Sequence, residues 1–246
     1  MIYDSRHMGV DVADSAFITV VLFDIDGTLL DVKGAGRQAF SQALEALYGW
    51  RDSLDYIKFS GATDLDVLRK IFHHNGRVLT REDQLRFFDH LPNELVATLA
   101  HTQPGLYPGV RKLLEELSQD SRVLLGLVTG NIQTCAALKL EWAGLDNFFS
   151  VGAYGDECAD RSQIAALAMQ RARKKIAARQ SLTARYLIGD TPSDVAAAEA
   201  IGARSVAVAT GKHTRADLVA TGAEIVFDDL SDVPQVMHRL GLHAVA

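Results

Sequence analysis

The feature of this sequence that most restricts its fold is a series of short apolar segments separated by helical patterns. Phe17–Phe23 (FITVVLF) is apolar at every position except Thr19, as is typical of a strand buried on both faces of a parallel sheet. Similar segments follow at Val123–Val128, Tyr186–Ile188 and Ser205–Ala209, with a weaker one at Glu224–Phe227. The helical patterns between them lie at Val110–Leu117, Gln133–Ala143, Gln163–Ala177, Val195–Ile201 and Asp232–Leu240. This alternation predicts an α/β fold with a doubly wound parallel sheet and right-handed crossovers.

The alternation stops between the first strand and the second. Residues 32–103 contain only helical patterns, and Arg37–Tyr48 carries its apolar residues on one helical face. Thr63 and Asp66 have the spacing of a helix capping box. We therefore predict that a helical cap subdomain is inserted into the core. The predicted division is a leader of residues 1–16, an α/β core of residues 17–31 and 104–246, and a cap of residues 32–103.

Composition narrows the class of protein. With 48% hydrophobic and 23% charged residues, the 246-residue chain has the profile of a soluble globular protein rather than a disordered one. Its net charge of −6 argues against a nucleic-acid-binding face, and its first apolar run, Ala16–Phe23, is too short to cross a bilayer. Cys135 and Cys158 form neither a disulfide framework nor a metal-binding motif. We expect a cytoplasmic protein that binds no nucleic acid and no membrane, in an oligomeric state that the sequence leaves open.

Polar residues directly follow four of the predicted strands. They are Asp24-Ile25-Asp26-Gly27-Thr28, Thr129-Gly130-Asn131, Gly189-Asp190-Thr191-Pro192-Ser193-Asp194 and Thr210-Gly211. Because ligands of open parallel sheets bind beyond the carboxyl ends of the strands, we expect these residues to meet at one edge. A single aspartate in such a place would more commonly form a turn or cap a helix. Their occurrence after successive strands favours a functional site.

A metal ion can hold several carboxylates together at one edge. Neighbouring carboxylates repel each other, and one of them would otherwise stay protonated. Mg²⁺ prefers oxygen ligands and often binds only one or two carboxylates together with water and substrate phosphate. We therefore predict a Mg²⁺ site formed by Asp24, Asp190 and the backbone carbonyl of Asp26.

These motifs resemble the signature motifs of a known enzyme superfamily. Asp24–Thr28, Thr129, and Gly189-Asp190 with Asp194 are similar to the motifs of the haloacid dehalogenase superfamily. The helical insertion resembles the alpha-helical cap of its phosphoglycolate-phosphatase-like members, and the resemblance extends over nearly the whole chain from Phe17. It implies a Rossmann-like core and a magnesium-dependent phosphatase. The substrate would be a small phosphorylated metabolite, with phosphoglycolate as the first candidate.

The resemblance also implies roles for individual residues. Asp24 would attack phosphorus and form an aspartyl-phosphate, which divides one difficult displacement into two easier ones. Asp26 would protonate the leaving group and later accept a proton from water. The phosphoryl oxygens would be bound by the segment that follows the second strand, namely Thr129, Gly130 and Asn131. Asp194 would orient the loop or metal-bound water.

The superfamily also requires a cation, usually lysine, ahead of the strand that ends at Gly189-Asp190. Here the sequence departs from the pattern. Arg161, at the start of a predicted helix, is our candidate, because arginine can both neutralise and grip a phosphate. Lys174 and Lys175 are the alternatives, although a basic cluster late in a helix is usually solvated. Either assignment would place a positive charge beside Asp24.

In the predicted cap, Gly61-Ala62-Thr63-Asp64 resembles the specificity loop of phosphoglycolate-phosphatase-like caps. A turn led by glycine could direct Thr63 and Asp64 at the core and its substrate. An equally good interpretation is that Thr63 only caps the following helix. Arg37 could contact a substrate carboxylate, although a lone charge at the start of a helix is more often solvated.

Several other functions are compatible with parts of the sequence. Gly34–Ala39 matches the dinucleotide-binding pattern G-x-G-x-x-A, but it does not directly follow a strand, so we do not expect NAD to bind. A dehalogenase would need neither Asp26 as an acid nor Mg²⁺. A phosphonatase would require a cap lysine, for which Lys33, Lys58 and Lys70 are available. A phosphomutase, or a binding protein without catalytic activity, is also open, although the presence of both aspartates argues against the latter.

Overall fold

A computed structural model describes residues 17–103 and 105–242, so the predicted leader of residues 1–16 lies outside the described part of the chain. The strands of the described residues are β1 (Phe17–Phe23), β2 (Leu30–Asp31), β3 (Gly105–Leu106), β4 (Val123–Val128), β5 (Val151–Ala153), β6 (Ser181–Gly189), β7 (Arg204–Val208) and β8 (Ile225–Phe227). Their helices are α1 (Ala35–Tyr48), α2 (Asp64–His74), α3 (Arg81–Leu99), α4 (Val110–Gln119), α5 (Gln133–Ala143), α6 (Arg161–Lys175), α7 (Pro192–Ala200), α8 (Arg215–Ala220) and α9 (Val233–Arg239).

Six of these strands form one parallel sheet in the order β5-β4-β1-β6-β7-β8. The first apolar segment lies at the centre of the sheet, because β1 pairs with β4 on one side and with β6 on the other. Successive side chains of β1 point to opposite faces. Val21 and Phe23 pack in the cluster that contains α4, α5 and α9, and Val20 and Leu22 pack against α6 and α7. The predicted doubly wound α/β sheet is therefore confirmed.

All five predicted strands are present in the six-stranded sheet, but the sequence pattern misses one strand of that sheet and shortens another. β5 has only three residues and pairs with β4 alone, so its apolar content is too small to mark a strand. β6 begins at Ser181, five residues before the predicted start at Tyr186. Its first half is only partly buried, and it therefore lacks the continuous apolar run of a strand covered on both faces.

The helices α1, α2 and α3 occupy the inserted part of the chain, and the described residues 32–103 contain no strand. α1 packs along α3, with its apolar face buried between them. The Thr63 side chain accepts a hydrogen bond from the Asp66 backbone N–H, as the spacing predicts. On either side of the insertion, β2 pairs with β3 as a short antiparallel ladder, which sets the two passages of the chain side by side. The predicted boundaries of the cap and core stay predictions.

Candidate active site

Three predicted aspartates meet at the carboxyl edge of the sheet. Asp24 follows β1 and Asp190 follows the adjacent β6, while Asp194 lies in the first turn of α7. Carboxylate oxygens of all three lie within 4.8 Å of one another, and all three side chains are buried. The central pairing of β1 with β6 brings the first two together, as expected for residues that end neighbouring parallel strands.

Burial makes it costly to keep the carboxylates of this cluster ionised. Loss of water raises the pKa of both Asp24 and Asp190 above the usual range, and the neighbouring carboxylates raise it further. Arg161 acts in the opposite direction and lowers the pKa of both groups. Three ionised carboxylates would face this single guanidinium, so the edge has a surplus of negative charge that favours binding of a cation.

Arg161, the first residue of α6, supplies the positive charge beside Asp24. Its Nη2 lies 2.7 Å from Oδ1 of Asp24 and 2.7 Å from Oδ1 of Asp194, and the side chain is almost completely buried. It also donates to the Val128 carbonyl oxygen at 3.2 Å. The alternative lysines are exposed in the last turn of the same helix and do not line the cavity described below. The geometry therefore favours Arg161 as the cation, with its catalytic role still a prediction.

Both carboxylate oxygens of Asp194 accept hydrogen bonds from other groups of the protein. Oδ1 accepts from Nε of Arg161 at 2.8 Å, and Oδ2 accepts from the Thr191 backbone N–H at 3.0 Å and from its hydroxyl at 2.6 Å. This arrangement completes a capping box at the start of α7. Asp194 therefore holds Arg161 in place and has little free capacity to bind a metal directly.

Asp190 keeps more of its carboxylate free. Thr28 donates to Oδ1 of Asp190 at 3.3 Å, and two glycines leave room for Oδ2. A Cβ atom at Gly27 or Gly211 would collide with the Asp190 carboxylate, and Gly27 also has a φ of 87°, which favours glycine. The chemistry of this donor set fits a hard divalent cation, since Asp24 and Asp190 offer oxygen ligands without other protein donors filling every position.

The side chain of Asp26 has hydrogen-bond partners outside this cluster. Its carboxylate accepts hydrogen bonds from Nδ2 of Asn131 at 2.7 Å and from Lys139, and it remains 40% exposed. Only the backbone carbonyl of Asp26 is then available for the predicted metal site. Asn131 also donates to Oγ1 of the buried Thr129 at 2.8 Å, so Thr129 and Asn131 lie together at the end of β4 as predicted.

Lys139 is a site residue that the sequence interpretation misses. It lies in α5, is only 4% exposed, and directs Nζ to both carboxylate oxygens of Asp26, at 2.8 and 2.7 Å, and to Oδ1 of Asn131 at 2.6 Å. A signal was present in the sequence: Lys139 falls on the same helical face as Cys135, Ala136 and Leu140, where a charge is unexpected.

The Gly61–Asp64 segment lies against the core. The Asp64 backbone N–H donates to the Gly130 carbonyl at 2.7 Å, and its carboxylate accepts from the Ile132 N–H at 2.8 Å. Burial raises the pKa of Asp64 to about 7, although Lys139 opposes this shift. Thr63 donates to the Ala159 carbonyl at 3.0 Å and does not line the cavity, so its predicted contact with substrate gains no support.

A cavity of about 500 Å³ lies between the aspartate cluster and the inserted helices. Its core wall includes Asp24, Asp26, Thr129, Gly130, Arg161 and Asp190, and its opposite wall includes Phe40, Phe59, Leu91 and Leu95. Arg37 also lines it, but its guanidinium donates to the carbonyls of Leu54 at 2.9 Å and Ile57 at 3.3 Å. The Arg37 guanidinium is therefore already hydrogen-bonded to the loop that follows α1.

Comparisons with known proteins agree with this fold and identify its family. The sequence profile of the family described as haloacid dehalogenase-like hydrolase matches residues 21–208. Phosphoglycolate phosphatase of Synechococcus elongatus is 28% identical over 223 residues, covering 89% of this chain and 97% of the relative. A Dickeya dadantii protein named probable phosphatase IndB is 30% identical over 232 residues, covering 90% and 94%. The crystal structure of CbbY from Rhodobacter sphaeroides in complex with phosphate shares the fold, with a TM-score of 0.68, 23% identity, and coverage of 88% and 96%.

The helices of the described residues are also informative about membranes. None of them combines the length and the apolar character that a membrane-spanning helix requires.

Proposed function

The chain belongs to the haloacid dehalogenase-like hydrolases, and from that membership we propose that it is a magnesium-dependent phosphatase acting on a phosphate monoester of a small metabolite. The observation that carries this proposal is the contact of Arg161 with Asp24 at the end of the central strand, beside Asp190 and open to the cavity. A carboxylate nucleophile needs such a partner when it approaches a phosphate dianion, because the two negative charges repel each other. The names of the relatives support the same class of reaction.

In the proposed reaction, an oxygen of Asp24 attacks phosphorus in line, and the bond from phosphorus to the substrate oxygen breaks. Asp26 gives its proton to the departing alkoxide. Water then attacks the aspartyl-phosphate, transfers a proton to Asp26, and releases phosphate from Asp24. Thr129 and the adjacent backbone would donate hydrogen bonds to the phosphoryl oxygens. Arg161 would neutralise negative charge on Asp24 and on the phosphoryl group.

Mg²⁺ would be held by Asp24, Asp190 and the backbone carbonyl of Asp26. When bound, it supplies positive charge that reduces repulsion between the carboxylates and the phosphate. Asp194 acts on this arrangement through Arg161: its Oδ1 accepts a hydrogen bond from Nε and forms an ion pair with Nη2.

The other reactions of the superfamily find less support. A phosphonatase needs a cap lysine at the substrate, but Lys33 pairs with Asp31 and Lys70 with Asp66, and neither lines the cavity; nor does Lys58. A phosphomutase differs only in the group that accepts the phosphoryl from Asp24, so identification of products separates it from a phosphatase. The dehalogenase alternative predicts activity without Mg²⁺ and is tested by chelation.

The experiment is a phosphate-release assay over a panel of phosphate monoesters, with and without Mg²⁺. Phosphoglycolate is the first compound to test, because the Synechococcus relative is named for it. We expect release that requires Mg²⁺ and that Asp24→Asn abolishes while circular dichroism stays unchanged. Near wild-type turnover by Asp24→Asn would exclude the covalent mechanism.

The proposal includes a cytoplasmic location, which the two free thiols of Cys135 and Cys158 support.

A further inference from the structure

We propose that Lys139 is a positioning residue for the proton transfer carried out by Asp26. The inference rests on the proposed phosphatase function and goes beyond it, since it assigns a role to a core helix outside the signature motifs. Lys139 reaches Asp26 from α5, 113 residues further along the chain. It therefore fixes a residue of the first strand's loop from an independent element.

The hydrogen-bonding capacity of Lys139 is fully used by this cluster. An ammonium group has three N–H donors, and Nζ has three acceptors within 2.8 Å: both oxygens of Asp26 and Oδ1 of Asn131. Asn131 closes the cluster by donating to Oδ2 of Asp26 at 2.7 Å. With no donor left over, Lys139 is placed to orient the Asp26 carboxylate rather than to bind the substrate phosphate.

The burial of Lys139 argues that its charge has a use. Its side chain is 5% exposed, whereas the Asp26 side chain is 40% exposed towards the cavity. Removing an ammonium from water costs several kcal/mol and is balanced only by good pairing. An apolar side chain would fill the same place in α5 beside Cys135 and Leu140 without that cost. The charge instead holds a half-exposed carboxylate that otherwise could rotate into solvent.

The experiment compares Lys139→Met, which keeps the length and removes the charge, with Lys139→Arg and with Asp26→Asn. Each variant is assayed in saturating Mg²⁺ on an alkyl phosphate and on p-nitrophenyl phosphate, whose leaving group needs little protonation. We expect Lys139→Met to lower kcat for the alkyl phosphate at least about tenfold, with a much smaller loss for the aryl phosphate and little change in KM. Lys139→Arg should recover part of the alkyl activity. Lys174→Met, the same change at an exposed site, is the control.

A double variant separates positioning from a purely structural role. If Lys139 acts through Asp26, adding Lys139→Met to Asp26→Asn should cause little further loss on the alkyl phosphate. Equal losses on both substrates, or fully additive losses in the double variant, would overturn the proposal. A rise in KM with unchanged kcat would instead assign Lys139 to substrate binding. Thermal unfolding of each variant identifies any that fail to fold, in which case the Lys139→Arg comparison decides. If the wild type released no phosphate at all, it is the proposed function that fails.

A separate observation concerns the organic part of the substrate. The wall of the cavity opposite the aspartates is formed by Phe40, Phe59, Leu91 and Leu95, and Arg37 beside them is held by backbone carbonyls and lies over the Phe59 ring. The carboxylate of a leaving group such as glycolate would there meet apolar side chains and a guanidinium already engaged, since the lysines that line the cavity, Lys139 and Lys212, belong to the core. We infer that the preferred substrate carries an apolar organic group rather than a carboxylate. This inference also rests on the proposed function.

Three unactivated alkyl phosphates test this second inference: 2-phenylethyl phosphate, ethyl phosphate and phosphoglycolate. We expect kcat/KM for the phenylethyl compound to exceed that for ethyl phosphate by about tenfold or more, as burial of a phenyl ring predicts, and phosphoglycolate to be the poorest. Phe59→Ala should reduce the preference for the phenylethyl compound. An equal or higher kcat/KM for phosphoglycolate than for 2-phenylethyl phosphate would overturn the inference. Release from none of the three would count against the proposed function instead.

Discussion

At the scale of single residues, the arrangement around Arg161 explains how an arginine can stand at the position where the superfamily resemblance implies a lysine. One nitrogen, Nη2, lies 2.7 Å from oxygens of both Asp24 and Asp194, and Nε holds Asp194 as well. A lysine has one nitrogen and cannot reproduce this fork. Asp194 therefore fixes the plane of the guanidinium, and the guanidinium in turn fixes Asp24.

This arrangement gives a prediction for three variants. Arg161→Ala leaves two buried carboxylates without their cation, so kcat/KM should fall at least about a hundredfold. Arg161→Lys should recover part of the activity, because the charge survives and the bidentate geometry does not. Lys174→Ala combined with Lys175→Ala is the control and should leave steady-state kinetics nearly unchanged. A dead double variant beside a healthy Arg161→Ala would move the cation to the end of α6.

Asp64 gives a prediction for stability. Its pKa in the folded protein is raised from 3.8 to about 7, so folding favours its protonated form. This contribution is fully present below about pH 4 and is lost as the pH rises to about 7. Asp64→Asn should therefore stabilise the protein more at pH 8 than at pH 5, by at most about 3 kcal/mol. Urea unfolding at both pH values measures this effect. The exposed Asp146→Asn is the control, and an equal change for both variants would contradict the prediction.

How much of the site the sequence predicts depends on where each residue lies in the chain. Asp24, Asp190 and Thr129 directly follow strands, and the topology of a parallel sheet brings such positions together. Lys139 has no such marker, because it lies inside α5 and reaches Asp26 only through the packing of that helix. Local spacing thus predicts the loop residues. For Lys139 the sequence shows only a charge on an apolar helical face, and the tertiary structure is needed to identify its partner.

At the scale of elements, the close approach of the Gly61–Asp64 segment to the end of β4 depends on glycine. A Cβ atom at Gly130 would collide with the Ala62 carbonyl, and a backbone atom cannot move aside as a side chain can. This is also where the Asp64 N–H meets the Gly130 carbonyl. The inserted segment therefore meets the loop that follows β4 through main-chain contacts.

Gly130→Ala should separate this segment from the core. We expect kcat/KM to fall by about tenfold to a hundredfold, because displacement of a binding wall by an ångström disturbs the reacting geometry. The control is Gly152→Ala in β5, where the added methyl group meets the end of the Tyr154 side chain, which can move. Steady-state kinetics and limited proteolysis of both variants provide the measurement. Wild-type kinetics of Gly130→Ala would contradict the close approach.

The elements themselves show why sequence patterns succeed for some strands and fail for others. β1 and β4 have helices on both faces, and their continuous apolar runs predict them correctly. β5, at the edge, has three residues, and the two-residue β2 and β3 are too short to carry any pattern. α8 is also missed, since its six residues hold a single buried side chain, Leu218. The sequence pattern therefore predicts those strands that are buried on both faces and long enough to show a continuous apolar run.

At the scale of the whole molecule, the charge surplus at the sheet edge links metal binding to stability. We expect Mg²⁺ at about a hundred times its Kd to add about 2.7 kcal/mol of stability and to raise Tm by roughly 5 to 10 °C. At one fixed Mg²⁺ concentration, the rise in Tm should be larger at pH 8 than at pH 5, because the raised pKa values of Asp24 and Asp190 leave them more protonated in acid and weaken metal binding. Thermal scans of wild type and Asp190→Asn measure this, and the variant should lose the response. Full turnover in excess EDTA would contradict the metal requirement.

The short ladder of β2 and β3 has a consequence for how such a protein can change over evolution. Leu30 pairs with Leu106 and Asp31 with Gly105, so the chain leaves and rejoins the core at adjacent points. A segment spliced between two such points alters neither the order of the strands nor their registers. The inserted segment can then change in evolution independently of the sheet. The residues at the sheet edge stay the same while the inserted segment is lengthened, exchanged or reshaped to accept another molecule.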